Sequence, residues 1–258
     1  LLNKKERVMI GIIGGLGPLA GIDIVRKIIE ETNAQNDQGH LPVLLSSQPN
    51  KIPNRVDYLL GLEPRNPGID IANIAMDLEK AGASVIGMPS NTAHTSPIFD
   101  TVKTELNRQG SQVRFLNMID EVADYINDVY PGKAVSVLVT NGTKNNGLYK
   151  NSLEAKGIPF IDSTESLQEK IHEAIYDKTY GLKHVSSPVT NRAHDALVAA
   201  IQELKGQGAE LIIMGCTDIP MALREKSYYG LPVLDPNRIL ARALIRTQDA
   251  SKLKEDIL

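Results

Sequence analysis

Two short runs carry the residues best suited to chemistry. Leu211-Ile-Ile-Met-Gly-Cys-Thr-Asp-Ile-Pro220 leads four apolar residues into Gly-Cys-Thr and then meets a proline. Ala83-Ser-Val-Ile-Gly-Met-Pro-Ser-Asn-Thr-Ala-His94 has the same form. A buried parallel strand delivers a residue to its C-terminal edge in this way. The first run delivers Cys216, the only cysteine of the chain, with Thr217 and Asp218 behind it. The second delivers Ser90, Asn91 and Thr92. A thiol at such an edge, beside a helix N-terminus, is expected to ionise below its free value. A thiolate serves as nucleophile or as proton acceptor. The plain alternative is a small buried hydrophobe. Asp218 also reads as the N-cap of a short helix, and Thr217 as a hydroxyl that binds backbone groups.

A third feature is the turn Gly14-Gly-Leu-Gly17-Pro18 after an apolar strand. It fits only a loose variant of the dinucleotide fingerprint. No acidic residue follows at the spacing a ribose requires, and the lysine of a phosphate-binding P-loop is absent. Plain tight-turn architecture, or a small carboxylate held near Gly15 by free N–H groups, is the reading that remains.

The surrounding pattern alternates strand and helix almost throughout, which predicts mainly parallel sheets with helices on both faces. Strands are expected at 8–14, 42–47, 85–88, 114–116, 135–140, 159–161, 211–214 and 231–234. Helices are expected at 20–33, 66–82, 97–110, 120–129, 148–156, 163–175, 190–205 and 237–245. Residues 49–62 read as a long loop or broken helix, and 252–258 as a loosely attached tail. The two halves look like one design used twice. Each catalytic-looking strand follows a helix closed by glycine, Gly82 in one case and Gly208 in the other. The expected fold is α/β: two similar three-layer lobes with mainly parallel sheets around an interdomain cleft. The first lobe takes 1–117 with the segment 225–258 joined to it, and the second takes 118–224.

Bulk properties narrow the classes. The chain has 258 residues, 42% hydrophobic and 23% charged, with net charge -3. That charge offers no strong positive field, so nucleic acid is not an expected partner. One cysteine permits no internal disulfide and no cysteine-based zinc cluster, and the five histidines show no metal-ligand spacing. No apolar run approaches the length of a membrane span, and the first seven residues lack the core of a signal peptide, so a cytoplasmic protein is expected.

With these motifs in place, the sequence resembles the aspartate/glutamate racemase family. Gly14-Gly-Leu-Gly-Pro18-Leu-Ala20 is similar to its opening motif, and Asn50-Lys-Ile-Pro-Asn-Arg55 to its substrate-carboxylate loop. Pro89-Ser-Asn-Thr-Ala-His94 and Gly215-Cys-Thr-Asp-Ile-Pro220 resemble its two catalytic segments. The likeness runs through roughly residues 8 to 245, with four motifs in order. The resemblance implies a cofactor-independent enzyme that inverts a stereocentre with one group on each face of the α-carbon. It implies an amino acid substrate, most simply aspartate or glutamate, and a homodimer. Such inversion needs a base on one face, an acid on the other, and positive charge or N–H donors on the carboxylate as the carbanion develops. By resemblance, Arg55 is the carboxylate clamp, a role its planar fork suits. Asn91, Thr92 and Thr217 bind the amino acid's backbone groups, and Thr140 and Thr143 line the same pocket. Lys183 is the candidate contact for a side-chain carboxylate, with Lys178 as its neighbour.

The departure is Ser90, where the family usually has its first cysteine. A serine hydroxyl is a far weaker acid than a thiol and rarely holds the anionic state that abstracts a proton. Ser90 is an introduced replacement, a natural residue that assists Cys216, or the mark of altered chemistry. Weak racemisation, or none, is the expectation. His94 reads as a packing, capping or site-tuning residue, and His194 as a helix-surface residue. Other classes stay open: a small carboxylate or amino acid binding protein, a hydrolase using Cys216 and a histidine, or a related isomerase or decarboxylase.

Overall fold

The computed structural model describes residues 9–255. The chain divides into two compact units, one from Leu1–Glu121 with Asn237–Ile257 and one from Val122–Pro236. The N-terminal leader reading and the last residues of the expected tail lie outside the described residues.

In the first unit, β1 (Met9–Gly14), β2 (Val43–Ser47), β3 (Ala83–Gly87) and β4 (Arg114–Phe115) form a parallel sheet of order β2-β1-β3-β4. The central strands are apolar without alternation because both faces are covered: Ile10, Ile12, Ile13, Val85 and Ile86 are all buried. Between the strands run α1 (Pro18–Glu31), α2 (Arg55–Leu59), α3 (Pro67–Lys80) and α4 (Ser96–Arg108), and α5 (Met118–Val129) leads out of the unit. Each of α1, α3 and α4 starts with a proline in its first turn, where the missing N–H costs nothing. Asn66 caps α3 by accepting from Gly68 N (2.8 Å), and its amide donates to Tyr58 Oη (2.8 Å) and Pro97 O (2.9 Å). One side chain thus pins α2 to α3 and α4.

The second unit holds β5 (Val135–Leu138), α6 (Asn141–Asn145), α7 (Leu148–Ala155), α8 (Glu165–Tyr176), α9 (Asn191–Gly206), β6 (Leu211–Met214), α10 (Ile219–Ala222), β7 (Ser227–Tyr228) and β8 (Leu231–Leu234). Its sheet has the order β5-β6-β8-β7, parallel except for the last strand. The core lies between this sheet and α8 and α9, around Leu138, Ile171, Leu197, Ile201, Ile212 and Met214.

Several expectations shift. The strand expected at 159–161 is a single bridge between Phe160 and Val135, since Pro159 has no N–H to extend a ladder. The segment 225–236 stands in the second unit, because β8 pairs with β6. The first unit is instead completed by α11 (Pro236–Asp249). That helix is tied to the end of α1: Arg242 meets Glu31 at 2.6 Å, Arg238 meets Glu30 at 2.9 Å, and Arg238 also bonds Glu31. The described part of the expected loose tail is anchored, with Leu253 bridged to Thr32 and Asn33 N donating to Lys252 O (2.7 Å). Among the described residues, no helix is long and apolar enough to cross a membrane.

Candidate active site

In the first unit the C-terminal edge of the sheet gathers Gly15, Arg55, Ser90, Asn91 and Thr92. β1 ends in a turn whose Gly15 has φ +86°, and a Cβ there would stand 2.8 Å from both Gln48 N and Pro49 N. Only glycine lets the turn meet the end of β2 so closely. The turn then presents Leu16 O, which accepts from Arg55 Nη2, while Pro53 O accepts from Nη1 at 3.5 Å. Arg55 opens α2, and Asn54 caps that helix by accepting from Val56 N (2.9 Å). Backbone carbonyls thus help to aim the guanidinium.

Ser90 and Asn91 are buried beyond the end of β3, and Thr92 opens the one-turn 3₁₀ segment Thr92–His94 that packs against α2. Ser90 N donates to Met88 O (2.9 Å). From beneath, His94 Nδ1 donates to Ser90 O at 2.8 Å. A carbonyl can only accept, so this nitrogen carries the proton. Burial holds the ring's pKa down at about 4, so His94 is neutral at ordinary pH. Its ring lies 5.0 Å from that of Phe99.

In the second unit Cys216 follows β6, with 7% of its surface exposed, inside the apolar cluster. Gly215 lets it stand there, since a Cβ would lie 2.3 Å from Val139 Cγ1 and 2.6 Å from Val137 Cγ1. Sequence reasoning expected a thiol with a lowered pKa. The structure places it the other way: burial pushes the thiol up to about 11, with Lys183 pulling it down and Asp218 pushing it further up. The helix that follows has only four residues, Ile219–Ala222, too short a dipole to offset desolvation.

Thr217 and Asp218 follow at the strand end, both part-buried. Asp218 stands at the N-cap position of α10 but makes no capping hydrogen bond. Its Oδ2 instead accepts from Lys183 Nζ (2.6 Å) and from Cys216 Sγ (3.6 Å). From the sequence, Asp218 reads only as a cap. Its partner lies 35 residues away, and no local pattern announces that contact.

Lys183 reaches this point through a turn. Asp177 Oδ1 accepts from Thr179 N (2.7 Å) and Tyr180 N (3.2 Å), and the chain folds back so that Lys183 N donates to Ile175 O (2.9 Å). A Cβ on Gly181 would lie 2.5 Å from Asp177 N, so the fold-back needs that glycine. Lys183 Nζ also stands 5.6 Å from the Tyr176 ring centroid. Burial alone would make the ammonium easier to deprotonate, but the neighbouring Cys216 and Asp218 outweigh it and raise its pKa. Lys178 and Lys183 are both exposed residues, and it is Lys183 that meets Asp218.

Thr140 and Thr143 lie after β5, whose Leu138 is in register with Met214 of β6. They serve one another. Thr140 caps α6 by accepting from Thr143 N (3.4 Å), and the two hydroxyl oxygens are 3.2 Å apart. Thr143 also lines a small, partly open pocket with Val137, Lys144, Tyr149, Phe160 and Asp162. His194 is a helix-surface residue whose Nδ1 lies 2.9 Å from Asp195. Among the described residues, no three His, Cys, Asp or Glu side chains gather closely enough to hold a metal ion.

The arrangement offers a buried thiol beside a cation in one unit, and an arginine with a hydroxyl and an amide in the other. Comparison with known proteins places the chain in a family. The broad specificity amino-acid racemase RacX of Bacillus subtilis (strain 168) is 26% identical over 245 residues, spanning 93% of this chain and 97% of that protein. The Picrophilus torridus aspartate racemase superposes with a TM-score of 0.77 at 29% identity, covering 96% of each chain. An aspartate racemase homologue from Pyrococcus horikoshii OT3 shares the fold, with a TM-score of 0.73 at 24% identity over 93% of this chain and 98% of that one. Residues 13–244 match the family model described as Asp/Glu/Hydantoin racemase, and the chain belongs to that family.

Proposed function

We propose that this chain is a cofactor-independent amino acid racemase acting on aspartate or glutamate, with Cys216 serving one face of the α-carbon and Ser90 the other. The observation that carries the reading is the Cys216 thiol, held at a strand end with a lysine and a carboxylate on the same few ångströms of surface. Arg55 holds the α-carboxylate, with Asn91, Thr92 and Thr217 on the backbone groups, Gly15 at the turn, and Thr140 and Thr143 at the pocket wall. Lys183 takes the side-chain carboxylate. Family membership supports these roles. The same resemblance supports a homodimer.

The two faces are unequal. A thiol held up at about 11 is protonated at neutral pH, so Cys216 readily gives a proton to a carbanion and takes one only through its small thiolate fraction. The Ser90 hydroxyl is a poorer base still, and donates or relays a proton through water. Turnover is therefore slow and one-sided. Solvent deuterium incorporation at the α-carbon, followed from L- and D-aspartate separately, tests this. Slow exchange from a single enantiomer is expected. Fast, equal exchange from both would overturn the assignment of roles.

A protonated thiol without a second thiol also suits a related reaction in which the carbanion arises by loss of carbon dioxide and the thiol quenches it. Release of carbon dioxide from a substituted malonate distinguishes that chemistry.

A further inference from the structure

We propose that Asp218 is a specificity-determining residue: it occupies Lys183 as a resident carboxylate, and a substrate's second carboxylate must displace it. The inference rests on the reading of Lys183 as the side-chain contact. The geometry supplies the rest. Asp218 Oδ2 lies 2.6 Å from Lys183 Nζ, as close as an ammonium and a carboxylate come. The lysine side chain is 35% exposed and the aspartate 20%, so the pair is neither sealed in the core nor fully open to solvent. The fold-back at Gly181 and the end of β6 bring the two together, while the cap position of α10 makes no use of the carboxylate. Asp218 therefore does no local work for its own helix. Its partners are the lysine and the thiol of the candidate site.

The consequence is a subsite that presents a closed ion pair and not a bare cation. An amino acid with an uncharged side chain meets this pair without breaking it. A dicarboxylic amino acid gains Lys183 only by separating it from Asp218, and it leaves that carboxylate facing its own. The site thereby holds an acidic substrate less tightly than Lys183 without Asp218 would. Substitution of Asp218 removes the competitor and costs no helix cap.

The test is calorimetric, with succinate as the dicarboxylate and propionate as the monocarboxylate. It uses the unaltered protein, Asp218→Asn, Asp218→Ser, and Asp218→Asn combined with Lys183→Met, each checked for an unchanged thermal transition. Asp218→Asn is expected to bind succinate about fivefold or more tighter, as removal of a competing partner from a part-desolvated lysine implies. Propionate affinity should stay within about twofold, and the double variant should lose the gain. Detectable succinate binding only after Asp218 is replaced also supports the proposal. Unchanged or weaker succinate binding, a gain that survives loss of Lys183, or no succinate binding to any variant overturns it. Deuterium exchange keeps the two readings apart. If no amino acid exchanges but the succinate gain is present, the racemase assignment falls while the competition at Lys183 stands.

Discussion

His94 Nδ1 donates to the carbonyl oxygen of Ser90 across 2.8 Å, so a neutral, buried imidazole grips the backbone at Ser90. The bond spans one turn of chain and fixes the direction in which the Ser90 segment leaves β3.

This grip has a pH signature. His94 has a pKa of about 4 in the folded protein against about 6.5 when unfolded. Its depressed value means the unfolded chain binds the proton more tightly. The stability involved is complete above about pH 6.5 and drains as pH falls towards 4, by about 3 kcal/mol in total. Urea unfolding between pH 7 and 4 should show this slope, and His94→Gln should remove most of it. An unaltered slope in the variant contradicts the assignment.

Cys216 is the single cysteine, so alkylation reports on it alone. The rate with iodoacetamide should rise about tenfold per pH unit as the thiolate forms, and level off only near pH 11. Lys183 lowers the thiol's pKa, so Lys183→Met should shift the profile to still higher pH. A plateau near pH 7 contradicts the burial argument.

Placing a thiol at position 90 is the direct test of the two-faced reading. Ser90→Cys should raise deuterium exchange from the slower enantiomer by about tenfold or more, in the range positioned acid–base groups supply. The faster enantiomer should change much less. Equal enhancement of both, or of neither, contradicts the assignment of Ser90 to one face.

Gly215→Ala should cost about 1–3 kcal/mol of stability, because its methyl would enter the space of Val137 and Val139. The same displacement moves Cys216, so exchange activity should fall more steeply than folded population. Thermal melting with parallel rate measurement separates the two effects. Retention of both within error contradicts the packing argument.

Arg55→Lys should raise KM for every amino acid substrate and lower kcat as well, since a point charge cannot reproduce a planar fork directed by Leu16 O and holds the carboxylate less well as the carbanion develops. An unchanged KM contradicts the clamp role.

How far the residues foretold the molecule depends on distance along the chain. The buried strands were legible because a parallel strand covered on both faces must be apolar throughout, as Ile12-Ile13 and Ile212-Ile213 are. α6 was missed, since Asn141-Gly-Thr-Lys-Asn145 has weak helix formers and gains its helix from the Thr140 cap. The placement of 225–236 failed because strand pairing is decided by tertiary register, which β8 satisfies against β6. Cys216 and Arg55 stood out through their flanking motifs. The Asp218–Lys183 pair did not, because each residue taken alone reads as an ordinary cap or surface lysine. The direction of the thiol's pKa is not legible at the strand end alone, because desolvation by the surrounding core outweighs what that position offers.

The ionic clasp of α11 on α1 has a consequence for synthesis. Residues 122–236 emerge from the ribosome as one continuous stretch holding every strand of their sheet, whereas the earlier unit lacks its closing helix until Asn237 and beyond have followed. The part translated first is therefore the part finished last, and a nascent chain must keep the face of β3 at Gly87, which Leu240 and Leu244 come to cover, from straying partners while its own final helix is still being made.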